Sequence, residues 1–228
     1  MGILDMFKKK DIRTTAPYIP FETVSTITGS YDEFHNKMLR SSTIMLVIGK
    51  RGSGKTALGM TLLENFNKNS KRKCYALGYA DTKLPRWIKT VDDIDKIPNN
   101  SIALLDEGAR AFSSRESMKE SNKALGKMMA IARHKNISLI IITQNSGMID
   151  LNILRLADTL LLKEPSLLQS KFERKAMKDI YEKISPQFDK HEQRKDKVYI
   201  WDDDFEGMLS AKLPIFWSDN ISTSFRNA

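Results

Sequence analysis

A chain of 228 residues, 41% hydrophobic and 29% charged, is long enough for one domain with a sizeable core and has the composition of a water-facing globular protein. A single cysteine, Cys74, excludes an intrachain disulfide, and His35, His134 and His191 lack metal-ligand spacing, so no zinc site is expected. A formal charge of +9 and a sequence pI near 9.5 favour an anionic partner, nucleic acid first and an acidic membrane surface second.

The opening "MGILDMFKKK" lacks the apolar core and cleavage site of a secretory leader, and Met6 breaks the myristoylation pattern. No apolar run is long enough to cross a bilayer, so a cytoplasmic protein without an integral membrane segment is expected. Residues 1–29 carry turn signals at Pro17 and Pro20 without periodicity and read as an N-terminal arm. Ser30 to Glu33 fit a capping box that opens a short helix with Tyr31, Phe34 and Met38 at helical spacing. "STIMLVI" (42–48) is a continuous apolar run, as a strand buried on both faces should be. A helix over 54–67 follows, with Leu58, Leu62 and Phe66 four apart.

Strands are then predicted at 73–78, 101–108, 137–145 and 158–164, with a short helix near Val91–Ile94 and a long one over Glu116–Lys135. Strands alternating with helices argue for an α/β fold with a parallel sheet covered on both faces. Beyond Glu164, a helix with Leu168, Phe172, Ala176 and Ile180 on one side is expected to about Lys183. "KVYIW" and "LPIFW" read as late strands or an ordered tail, and the C-terminal aromatics as completing the core or docking on a neighbouring subunit or capsid, the core being the favoured reading. The expected organisation is an arm (1–29), an α/β core (30–164) and a C-terminal helix and strand extension packed on it (165–228).

The chemistry concentrates at three strand ends. Gly49, Lys50, Arg51, Gly52, Ser53, Gly54, Lys55 and Thr56 fit G-x-x-x-x-G-K-[ST] between an apolar strand and a helix, the context a phosphate cradle requires. Glycines let backbone N–H groups point inward, and the helix N-terminus adds partial positive charge. Lys55 is expected to reach the β and γ phosphates of ATP, and the Thr56 hydroxyl to bind Mg²⁺. "ALLDEG" ends a second strand in Asp106, a Mg²⁺ ligand directly or through water, and Glu107, placed to polarise an attacking water. "IIITQN" ends a third in Gln144, whose neutral amide can bond both γ-phosphate and water; Thr143 and Asn145 are alternatives.

These strand ends, with "ARHKNISLIIITQN" at the last, resemble the HerA–FtsK superfamily of P-loop ATPases over about residues 42–163. The group includes DNA translocases, viral genome-packaging ATPases, conjugative coupling proteins and zonula occludens toxin-like ATPases. The resemblance implies a RecA-like fold with an additional strand and a catalytic glutamate, in the order 5-1-4-3-2 counting 42–48 as strand 1. It implies that Arg133, ahead of the strand ending in Gln144, serves a neighbouring subunit's γ-phosphate as a finger, with Arg110 the competing candidate. A finger in trans implies a ring, commonly a homo-hexamer.

Arg115, Lys119, Lys123 and Lys127 fall four apart and form one basic row, either a contact for a nucleic-acid backbone or a solvated face. The expected function is therefore an oligomeric Mg²⁺-ATPase that translocates or packages double-stranded DNA for a virus or mobile element, virion-associated and meeting a capsid or membrane vertex. A virion-extrusion ATPase and a nucleotide-dependent interaction protein without translocation are the competing readings.

Overall fold

The computed structural model describes residues 18–79, 84–106, 118–143, 149, 151–166 and 175–218. They form a nine-stranded sheet in the order β1-β9-β8-β7-β2-β6-β5-β3-β4. Its strands are β1 (Glu22–Gly29), β2 (Ile44–Ile48), β3 (Cys74–Leu77), β4 (Ile88–Val91), β5 (Ile102–Asp106), β6 (Ser138–Ile142), β7 (Thr159–Leu162), β8 (Lys197–Trp201) and β9 (Phe205–Ser210). The helices are α1 (Tyr31–Arg40), α2 (Lys55–Asn69), α3 (Met118–His134), α4 (Leu151–Leu156) and α5 (Lys175–Asp189).

The five strands read from the sequence stand as β7-β2-β6-β5-β3, the expected order, and all pair in parallel. β4 adds a parallel strand beyond β3, and β8, β9 and β1 continue the sheet antiparallel from β7. Period-2 alternation sorts each strand between two cores. Ile44, Leu46 and Ile48 of β2 face Met128, Met129 and Ala132 of α3 and Met177, Tyr181, Ile184 and Phe188 of α5. Met45 and Val47 face Phe34 and Met38 of α1 and Leu58, Leu62 and Phe66 of α2. Each valine, leucine, isoleucine, phenylalanine or methionine among them contributes roughly 1.5–3 kcal/mol by leaving water. Helices on both faces are what parallel strands need, because neither face tolerates solvent.

Several elements differ from expectation. Residues 22–29, read within an arm, form edge strand β1, exposed along its whole length. Val91, read as helical, ends β4, and only a 3-10 turn, Ile94–Lys96, follows. The buried stripe of α5 lies one position on from the predicted one, and the helix continues through Pro186 to Asp189. Leu168 and Phe172 lie outside the described residues. "FEGMLS" is the buried strand β9, whereas "LPIFW" forms no strand. The Ser30 side chain does cap α1, accepting the Glu33 N–H at 3.5 Å. No helix among the described residues is long and apolar enough to cross a membrane.

Candidate nucleotide site

The loop after β2 turns back through Gly49, Gly52 and Gly54, all at positive φ. At Gly49 (φ 157°) a Cβ would stand 2.6 Å from the Lys163 Cβ, so only glycine lets the loop cross the end of β7. Gly54 (φ 88°) is the left-handed residue that caps α2, which begins at Lys55. Lys55 is buried, and its ammonium donates to the carbonyls of Gly49 (2.8 Å) and Lys50 (2.9 Å). Its charge therefore lies inside the loop. Ser53 is buried there as well, and its hydroxyl has no hydrogen-bond partner among the described residues. A buried hydroxyl left unpaired costs about 1–3 kcal/mol, which an entering phosphate oxygen would offset.

Thr56 and Asp106, both read as Mg²⁺ ligands, lie in contact. The Thr56 hydroxyl donates to Asp106 Oδ2 at 2.8 Å, and Asp106 is 1% exposed at the end of β5. The Tyr79 hydroxyl donates to the same oxygen at 3.3 Å. Burial, with the Asp106 charge beside it, holds that phenol protonated, so it remains a donor. A hydroxyl and a carboxylate in contact at the start of α2 are oxygen donors of the kind that Mg²⁺ takes. Thr143 is buried at the end of β6, its N–H bonded to the Val47 carbonyl (3.1 Å), between the ends of β2 and β5. Glu107, Gln144, Asn145, Arg110 and Arg115, and the side chain of Lys119, lie outside the described residues.

Arg133 sits at the other end of the sheet. Its guanidinium donates to the Leu156 carbonyl (2.8 Å) and to Asp158 Oδ1 (2.9 Å), while Asp158 Oδ2 accepts the N–H of Ile44, where β2 begins. It does not approach its own chain's cradle. Lys123 and Lys127 are exposed on α3, away from the buried Leu125, Met128 and Met129.

The sequence reading missed a group contributed by β7 and the C-terminal segment. Lys50 pairs with Glu164 (2.5 Å), Glu164 with Arg194 (3.1 Å), and Arg194 with Asp189 at the end of α5 (3.1 Å). These residues, with Pro165 and Phe188, line a recess of about 370 Å³ beside the loop. Lys163, 2% exposed, donates to the carbonyls of Lys195 (2.6 Å) and Lys197 (2.7 Å) and so straps this segment behind the cradle. The detectable signal was a lysine directly following the apolar run "TLLL".

Burial lowers the Lys163 ammonium from 10.5 to about 8, with Asp196 and Glu164 opposing the shift and Lys197 and Lys55 adding to it. The folded value lies below the unfolded one, so from about pH 8 to 10.5 the unfolded chain holds more protons and stability rises with pH. Denaturant unfolding at pH 7.5 and pH 10 should show wild type gaining up to about 3 kcal/mol relative to Lys163→Met. Equal pH dependence in the two proteins would remove Lys163 from this account.

No curated protein sequence matches the chain. Among solved structures, the genome-packaging NTPase B204 of Sulfolobus turreted icosahedral virus 2, in complex with AMPPCP, superposes with a TM-score of 0.53 at 13% identity, over 76% of this chain and 99% of that one. The DNA-packaging ATPase B204 of Sulfolobus turreted icosahedral virus gives 0.51 at 15% identity, over 75% and 98%. The pCW3 conjugation coupling protein TcpA, with ATPγS, gives 0.54 at 13% identity, over 77% and 61%. Identities this low establish shared fold alone, and the fold is that of the packaging and coupling ATPases to which the motifs pointed. The family profile described as novel STAND NTPase 3 matches residues 27–151, over half of the chain, and the protein belongs to that NTPase family.

Proposed function

We propose that the protein is a Mg²⁺-dependent ATPase whose hydrolysis moves or packages double-stranded DNA, working as a ring of identical subunits. The observation that carries the reading is the Thr56–Asp106 contact beneath a loop that already holds the buried Lys55. The motor role is supported by likeness of fold to B204, whose structures are described as packaging NTPases, and to the coupling protein TcpA. Lys55 exchanges its carbonyl partners for β and γ phosphate oxygens, and the loop N–H groups and Ser53 bind the remainder. Thr56 and Asp106 are the residues that would hold Mg²⁺. The ion, when bound, neutralises charge on the β and γ phosphate oxygens. The recess between Lys50, Phe188 and Arg194 is placed to take the nucleoside end.

Glu107 takes a proton from water as the water oxygen bonds to the γ-phosphorus and the bond to the β-bridging oxygen breaks. Gln144 orients that water. Arg133 has a fixed partner at the far end of its own sheet, so as a finger it acts only on a neighbour's nucleotide; Arg110 is the alternative. Either is worth about 10³–10⁵ in rate. Phosphate release measured against duplex DNA tests the reading. Wild type should be stimulated by DNA, with steep loss at high salt. Glu107→Gln should bind ATP but turn over about 10²–10⁴-fold more slowly. ATP hydrolysis indifferent to DNA would instead favour a nucleotide-dependent interaction protein.

A further inference from the structure

At the end of the sheet opposite the cradle, α1 and α2 finish side by side above the starts of β2, β5 and β6. Between them is a recess of about 430 Å³ lined by Arg40, Lys71 and Arg72, with carboxamides from Asn36, Asn69 and Asn136 among its walls. No carboxylate lines it among the described residues. Arg72 is already committed: its guanidinium donates to the carbonyls of Ser41, Asn100, Ser101 and Asn136 and to Ser138 Oγ. It supplies field without spare donors. Arg40 and Lys71 are exposed and make no hydrogen bond or ion pair with a described residue. Their donors face water.

The ends of α1 and α2 offer a competing explanation for these cations, since a helix C-terminus carries roughly half a negative charge. Two such ends offset about one of the three positive charges, leaving about +2 uncompensated. Lys68 and Lys73, also exposed, flank the same turn, so the positive surface is elongated and not confined to one ion-sized pocket. We infer that this recess is a contact for the phosphodiester backbone of duplex DNA, distinct from the row on α3. The assignment rests on the proposed DNA-driven reading and names its surface. Five strand residues, about 16 Å, separate it from the phosphate loop, so DNA and ATP can be held together.

Anisotropy titrations of a fluorescent 30-base-pair duplex against the full chain between 50 and 200 mM salt provide the test. Arg40→Ala/Lys71→Ala should weaken binding at least about tenfold at 100 mM and shrink the salt slope by roughly 1.8, the value for two lost phosphate contacts. Basal ATPase and melting temperature should stay at wild-type values. Wild-type affinity and slope in the double variant would overturn the surface while leaving a DNA-binding motor intact. No duplex binding by wild type at any salt would overturn the surface and the functional reading together. A parallel arm uses inorganic phosphate: thermal protection of wild type by millimolar phosphate, lost in the variant while DNA affinity is unchanged, would make this a small-anion site and overturn the DNA assignment.

Discussion

Lys55→Ala should abolish turnover, with a loss of about 10³-fold in phosphate release and no collapse of the fold. Lys55 is 6% exposed, and its ammonium donates to two carbonyls within its own loop. Removing it deprives two acceptors of a donor, about 1 kcal/mol each, which a chain with two cores absorbs with only a small fall in melting temperature. Neither described lysine beside the loop is free to replace it. Lys50 is paired with Glu164 at the rim, and Lys163 is turned toward the Lys195 and Lys197 carbonyls. Calorimetry with ATP should show weakened or absent uptake alongside the kinetic loss. Turnover within tenfold of wild type would show that the loop does not bind a reacting phosphate.

The largest stability effect is expected far from the nucleotide. Arg72→Ala should cost about 3 kcal/mol and lower the melting temperature by roughly 6–12 °C. All five guanidinium donors are engaged, joining the ends of loops that feed β2, β5 and β6. Alanine takes a donor from four carbonyls and one hydroxyl; the Ser41 carbonyl keeps the Ser138 hydroxyl, the Ser101 carbonyl keeps the Ser138 N–H and the Ser138 hydroxyl keeps the Thr43 N–H, while the Asn100 and Asn136 carbonyls turn to water. The figure assumes that solvent recovers part of the loss, since two of the lost bonds are buried only in part and three are exposed. Arg72→Lys should recover less than half, because a point-like ammonium cannot span acceptors arranged around a planar fork. Scanning calorimetry of the three proteins decides the matter, and an alanine variant melting within 2 °C of wild type would refute the role.

How legible the sequence was depended on whether one strand or several chain segments supplied the information. β2, β5, β6 and β7 are unbroken apolar runs, and burial on both faces makes such runs visible without context. β9 was illegible because Glu206 and Gly207 interrupt its apolar residues. Glu206 is tolerated there because Lys183 and Tyr199 hold it, partners that only the fold brings near. β1 has no buried face to read, since its residues are exposed and it joins the sheet only through its edge with β9. The same logic applies at the site. The cradle and Asp106 are local motifs, whereas Lys163, Glu164 and Arg194 act through contacts with distant segments. Arg72, inside the run "KNSKRK", looks like a solvated charge and is a staple only because five acceptors converge on it.

The pairing of β1 with β9 bears on how the molecule is made. Glu22 registers with Ser210, so the first described strand waits for the last before it has a neighbour. During synthesis β1 leaves the ribosome early and stays single while the parallel strands behind it find one another. Contacts of such long sequence separation close slowly. The antiparallel flank of the sheet should therefore be the last part to assemble, and a nascent chain halted before Ser210 would hold its nucleotide loop above an unfinished edge.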